Sequence, residues 1–149
     1  LTVLAQPNPD MIIIMAGYQN EMDKMLDSNP GLRGRFTHYL HFEDYCSEEL
    51  QEIAQMRIAS RGLKLSLSAN ETLADAIGKT LRDKTNGFAN ARWVEQFADK
   101  AICHTANRVL ASHLFTQDYL VTITSEDIEA AYNELTIGNN YAKPKIGFA

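Results

Sequence analysis

The chain has 149 residues, 45% of them hydrophobic, and a formal net charge of −5 at pH 7. That length suits one domain, or one domain plus part of another, with enough apolar residues for a sizeable core. The acidic balance, with both signs mixed along the chain, argues against a protein that coats nucleic acid, and the longest apolar run, residues 11–16, is far short of a membrane span.

In chain order, residues 1–5 read as the last turn of a helix, and residues 6–10 as a connection, because Pro7 and Pro9 exclude helix there. Residues 11–16 form a continuous apolar run ending at Gly17, the pattern of a strand buried on both faces of a parallel sheet. Residues 20–26 read as a short helix with Met22, Met25 and Leu26 on one side, stopped at Asn29-Pro30-Gly31. Residues 38–42 alternate and read as a second strand.

From Ser47 the pattern is helical. Ser47 is the expected N-cap, followed by Glu48 and Glu49 near the positive helix end, and Gly62 closes the helix. Its apolar face is Leu50, Ile53, Ala54 and Ile58. Ser68-Ala69-Asn70-Glu71 fits a capping box, with Leu73, Ile77 and Leu81 following at steps of four. Phe88 or Asn90 opens the longest helix, whose core side is Val94, Phe97, Ala98, Ala101, Ile102, Val109 and Leu110. Residues 121–123 are short and extended. Thr124-Ser125-Glu126-Asp127 starts a last helix with Ile128, Ala131 and Leu135, and a polar tail begins at Gly138. The expected fold is mainly α with a small α/β portion: about two strands and a helix over residues 1–44, a bundle of about four helices over 45–137, and a tail or linker over 138–149. Two strands do not make an independent sheet. With a start at Leu1 rather than Met, the chain reads as a piece of a longer protein.

Three arginines stand out. Arg33 and Arg35 lie two residues apart in the Gly/Pro-kinked Asn29-Pro30-Gly31-Leu32-Arg33-Gly34-Arg35-Phe36, and Arg92 ends Gly87-Phe88-Ala89-Asn90-Ala91-Arg92. Guanidinium is planar, permanently charged and able to donate two parallel hydrogen bonds, so it is the usual choice for charge on a transferring phosphoryl group. A cation at a helix start opposes the helix dipole, which favours a functional reason for Arg92. A phosphate-cradling loop needs Gly-x-x-x-x-Gly-Lys-Ser/Thr between strand and helix. The nearest string, Gly78-Lys79-Thr80, has Leu73 at the first glycine position and lies in an amphipathic helix, so it is a coincidence. Nor does an apolar strand end in an acidic pair suited to Mg²⁺. This chain alone is not expected to hydrolyse ATP. Cys46 and Cys103, far apart and unaccompanied, read as buried thiols of a reducing compartment. The four histidines lack ligand-like spacing, and no metal site is expected.

Ala16-Gly17-Tyr18, Glu21-Met22-Asp23, the segment from Asn29 to Phe36, Phe42-Glu43-Asp44-Tyr45, Asn90-Ala91-Arg92 and Lys145-Ile146-Gly147-Phe148 together resemble the C-terminal half of an AAA+ ATPase module. The likeness is to the red-type Rubisco activase and stage V sporulation protein K family. It implies a truncated AAA+ core followed by the helical lid, in a cytoplasmic hexameric ring that binds ATP and Mg²⁺ mainly through residues absent here. That ring would remodel an unidentified protein client, with no nucleic acid or membrane as partner. Arg35 matches the arginine finger that reaches the γ-phosphate held by the neighbouring subunit, and Arg33 a second finger or subunit contact. Arg92 matches the sensor 2 arginine, within the Asn90-Ala91-Arg92 motif. Tyr18 stands about where sensor 1 sits, and that role is open between Tyr18, Gln19 and Asn20. A stand-alone, non-catalytic interaction module derived from such a lid is the alternative, and a helical DNA-binding domain a weaker third, opposed by the acidic charge.

Overall fold

The computed structural model describes residues 12–28, 30–83, 89–112 and 116–140. The expected features at residues 1–11, Asn29, Phe88 and 141–149 lie outside them. The chain divides into two compact units between Glu43 and Asp44.

In the first unit, α1 (Gln19–Asp27) is followed by the single turn α2 (Pro30–Arg33). Tyr18 caps α1 from an extended conformation, its carbonyl accepting the N–H groups of Glu21 and Met22 at 3.0 and 2.9 Å. Leu26 is buried, and Met22 is half-buried. The short helix is thus where the sequence predicts it. The two strands are not: residues 12–16 and 38–42 belong to no strand. A strand is a relation between segments, and no described segment pairs its backbone with either run. Ile12, Ile14, Leu40 and Phe42 are each 84–90% exposed instead.

The second unit contains α3 (Ser47–Ser60), β1 (Lys64–Leu65), α4 (Leu67–Arg82), α5 (Asn90–Ser112), α6 (Gln117–Val121), β2 (Thr122–Ile123) and α7 (Ser125–Asn140). The two short strands pair in parallel, Lys64 against Thr122 and Leu65 against Ile123. Ser66 extends the pairing by donating its N–H to the Ile123 carbonyl at 3.0 Å. A parallel pair requires a long crossover, here α4, α5 and α6. The pair therefore ties the α3–α4 connection to the α6–α7 connection. The fold is mainly helical with a small strand content, and both strands of the described chain lie in this unit.

Apolar residues at three- and four-residue steps line one stripe of each long helix and meet in one core. It includes Leu50, Ala54 and Ile58 of α3, Leu73, Ala76 and Ile77 of α4, Val94, Phe97 and Ala101 of α5, and Ile123, Ile128 and Ala131. Trp93, Phe97 and Tyr132 pack as three rings, with centroids 5.1, 6.5 and 6.1 Å apart for the successive pairs Trp93–Phe97, Trp93–Tyr132 and Phe97–Tyr132. The exception among the expected core positions is Leu110, which is 69% exposed near the end of α5.

Helix ends refine the sequence reading. Cys46, not Ser47, is the N-cap of α3, and Glu49 Oε2 accepts the Cys46 N–H at 2.8 Å. Gly62 closes α3 as expected: at φ +74° it donates to Ala59 O, while Leu63 N–H reaches Ile58 O. Ser66, not Ser68, caps α4, its hydroxyl accepting Ala69 N–H at 3.1 Å. The last helix runs through Gly138 to Asn140 rather than stopping before the glycine. Cys46 and Cys103 are both exposed, not buried. Capping places Cys46 at a surface helix end, and Cys103 falls outside the apolar stripe of α5.

Inside the bundle, Asp127 of α7 accepts hydrogen bonds from Thr105 Oγ1 at 3.0 Å, Thr124 N–H at 3.0 Å and Arg108 Nε at 3.0–3.1 Å. Arg108 also donates from Nη2 to the Thr122 carbonyl at 2.7 Å and lies 4.5 Å from the centre of the Tyr119 ring. This network joins α5, β2 and α7.

Candidate functional site

In the first unit, the chain turns tightly after α2, with Arg35 N–H donating to Leu32 O at 3.0 Å. Arg33 points its guanidinium back at α1. Its Nε and Nη2 both donate to Asp27 Oδ1, at 3.0 and 2.7 Å, and Nη2 lies 3.6 Å from Asp23 Oδ1. The hydrogen bond to Asp27 and its negative charge raise the Arg33 pKa further above its ordinary value. Tyr39 OH donates to the Arg33 carbonyl at 3.2 Å. Arg35 differs. Its side chain is exposed, Nη1 donates to the Gly31 carbonyl at 3.2 Å, and no carboxylate pairs with it among the described residues. One arginine of the pair is locally neutralised, and the other keeps its full positive charge toward solvent.

Tyr18 lies at the cap of α1 with its side chain 85% exposed, and Gln19 and Asn20 are exposed in the first turn that follows.

In the second unit, Asn90 and Arg92 occupy the first turn of α5. Asn90 has φ +39°, the left-handed region that asparagine tolerates better than most residues. Its side chain is buried and pairs with both backbone groups of Tyr45: Oδ1 accepts the N–H at 3.1 Å, and Nδ2 donates to the carbonyl at 3.4 Å. Arg92 is rooted by its own N–H, which donates to Ala89 O at 2.9 Å, and by the neighbouring buried Trp93. Its side chain is exposed, and no described residue gives the guanidinium a hydrogen-bond or ion-pair partner. The first turn of α5 contains no acidic residue that would offset the cation. A rooted backbone with an open positive head suits an anion arriving from outside the unit.

The structure thus groups Arg33 with Arg35 in one unit and Asn90 with Arg92 in the other. Sequence reading misses two partnerships, Arg33 with Asp27 and Asn90 with Tyr45. The first has a faint signal in a carboxylate six residues upstream. The second has none, because the partner is a main-chain amide 45 residues away. Among the described residues, no three or more His, Cys, Asp or Glu side chains are placed to hold a metal ion. No helix among them is long and apolar enough to cross a membrane.

The second unit is thus a bundle of four long helices pinned by a two-residue parallel strand pair, with the exposed Arg92 in the first turn of its longest helix. The AAA lid domain family matches residues 46–137, and the chain belongs to it. Over 130 residues the chain is 38% identical to the CfxQ homologs of Trieres chinensis and Pyropia yezoensis, covering 86% of itself and 44% and 43% of theirs. It is 35% identical to protein CbbX of Cereibacter sphaeroides over 133 residues, 88% of this chain and 42% of that one. The chain spans less than half the length of the curated relatives it matches.

Proposed function

We propose that this chain is the end of the core and the lid of an AAA+ ATPase of the group that includes the red-type Rubisco activases and stage V sporulation protein K. The intact protein would form a hexameric ring in the cytoplasm and convert ATP hydrolysis into remodelling of a protein client. The observation that carries this reading is Arg92: a guanidinium at a helix start that opposes the dipole, with no partner among the described residues. Arg92 contacts the nucleotide from the lid of its own subunit. Arg35, likewise without a carboxylate partner, reaches the γ-phosphate bound by the next subunit. Arg33, held by Asp27, serves the subunit contact and steadies the turn that presents Arg35. One of Tyr18, Gln19 and Asn20 serves as sensor 1, and Asn90 acts beside Arg92.

The residues present fit the phosphate end of ATP, since both open guanidiniums can donate paired hydrogen bonds to phosphate oxygens. On this reading the Mg²⁺ ligands and the phosphate-cradling loop are supplied mainly by residues outside this chain. When bound, ATP supplies the transferable phosphoryl group. An arginine from the neighbour ties hydrolysis to assembly, and one from the lid ties nucleotide state to lid angle, so together they bias a two-state element.

Arg92→Ala and Arg92→Lys in the full-length protein test this reading by ATP affinity and turnover. The alanine variant is expected to lose at least tenfold in turnover, with lysine restoring part of it. Parental values in both variants would remove Arg92 from the site.

A further inference from the structure

The left-handed backbone of Asn90 and its buried amide are two features of one device. Among the described residues Asn90 is the one non-glycine with positive φ. Such a conformation persists where the surroundings over-determine it, and it clusters at sites that must be held in one geometry. Here the surroundings are the backbone N–H and carbonyl of Tyr45, both engaged by the Asn90 side chain at 3.1 and 3.4 Å. Tyr45 lies one residue inside the second unit and directly precedes Cys46, the N-cap of α3. The contact closes the entry of that unit onto the first residue of its longest helix.

We propose that Asn90 is a positioning residue, whose two-bond clasp on the Tyr45 backbone sets the direction in which the first turn of α5 presents Arg92. The inference rests on the reading of Arg92 as a nucleotide contact. Arg92 stands between two anchors, the clasp at Asn90 and the buried indole of Trp93, and the turn between them has little freedom to rotate. The pairing demands one acceptor and one donor on a short planar group. Aspartate keeps the acceptor but turns a second oxygen toward the Tyr45 carbonyl. Alanine lacks both and does not favour the left-handed backbone. Glycine accepts that backbone without strain but has no clasp.

The test uses Asn90→Gly, which preserves the backbone conformation, and Asn90→Asp beside Arg92→Ala, all in the full-length protein. Two readouts are needed: hydrogen exchange of the Tyr45 amide, and the ratio of ATP to ADP affinity. In Asn90→Gly the Tyr45 amide is expected to exchange at least tenfold faster, while the Phe97 and Ala101 amides keep their protection. Its ATP/ADP ratio should move most of the way to that of Arg92→Ala, and the double variant should be no worse than Arg92→Ala alone. Asn90→Asp keeps the acceptor for the Tyr45 N–H and loses only the donor to its carbonyl, so it should retain most of the exchange protection while its ratio moves toward that of Asn90→Gly. Unchanged Tyr45 exchange in Asn90→Gly would show that there is no clasp and overturn the inference. Faster exchange with a parental ratio, while Arg92→Ala loses it, would overturn positioning and leave the Arg92 reading standing. A parental ratio in Arg92→Ala itself would overturn both.

Discussion

Arg108 and Asp127 meet within the lid bundle, Nε of the arginine lying 3.1 and 3.0 Å from the two carboxylate oxygens. Asp127 is 3% exposed, and its remaining capacity is taken by Thr105 and Thr124. The pair links α5 to the start of α7, and the Arg108 bond to the Thr122 carbonyl brings in β2. Removing one partner of a fully buried ion pair strands the other charge, at about 3–5 kcal/mol; the Arg108 side chain is 21% exposed, which lessens that cost. Asp127→Ala should therefore lower the unfolding free energy by about 2 kcal/mol, read by chemical denaturation. A loss under about 1 kcal/mol, the range of exposed pairs, would mean the network is not buried in solution.

The same carboxylate sets a pH dependence. Burial pushes the Asp127 pKa up, but the hydrogen bonds from Arg108, the Thr124 N–H and Thr105 outweigh it and hold the carboxyl below its ordinary 3.8. Asp99 and Glu134 are lowered too, each chiefly by a hydrogen bond, from Arg57 and from Lys100 respectively. A depressed folded pKa means that the unfolded chain binds more protons, so the stabilisation is present above the unfolded pKa and is lost as pH falls through the folded one. Stability should hold from neutral pH to about pH 5 and fall below about pH 4. The gap between the parent and Asp127→Asn should narrow over the same range, and a gap that widens on acidification would reverse the sign.

The start of α4 gives a sharper local test. Ser66 and Ser68 are both serines near a helix start, but the Ser66 hydroxyl is the one that accepts Ala69 N–H. Ser66→Ala should cost about 1 kcal/mol. Ser68→Ala, at an exposed position inside the helix, should change stability by less than about 0.5 kcal/mol. Thermal unfolding of the two variants compares them directly, and the reverse order would move the cap to Ser68.

These serines also show how far sequence carries the fold. The four long helices are legible because their apolar stripes recur at helical steps and because Gly62 marks an end that needs positive φ. The exact caps are not, because Cys46 and Ser47, or Ser66 and Ser68, offer similar chemistry and only backbone geometry selects between them. Residues 12–16 look like a strand by composition, but strand formation depends on a partner segment that local pattern does not contain. At the site, all three arginines stand out by residue type and spacing. Arg33 and Arg35 are indistinguishable by that signal, and the carboxylate of Asp27 separates them in the structure. The Asn90–Tyr45 contact leaves no local trace, since one of its partners is main chain.

The most direct measurement is ATP turnover and ATP affinity of Arg35→Ala in the full-length protein. An arginine supplied to the γ-phosphate by a neighbouring subunit accounts for about 10³-fold or more of the rate, and on the proposed reading other residues would bind most of the nucleotide. Turnover should fall by about that factor, with ATP affinity close to the parental value. Turnover equal to the parent would contradict the assignment of Arg35 and, with it, the ring in which one subunit completes the site of the next.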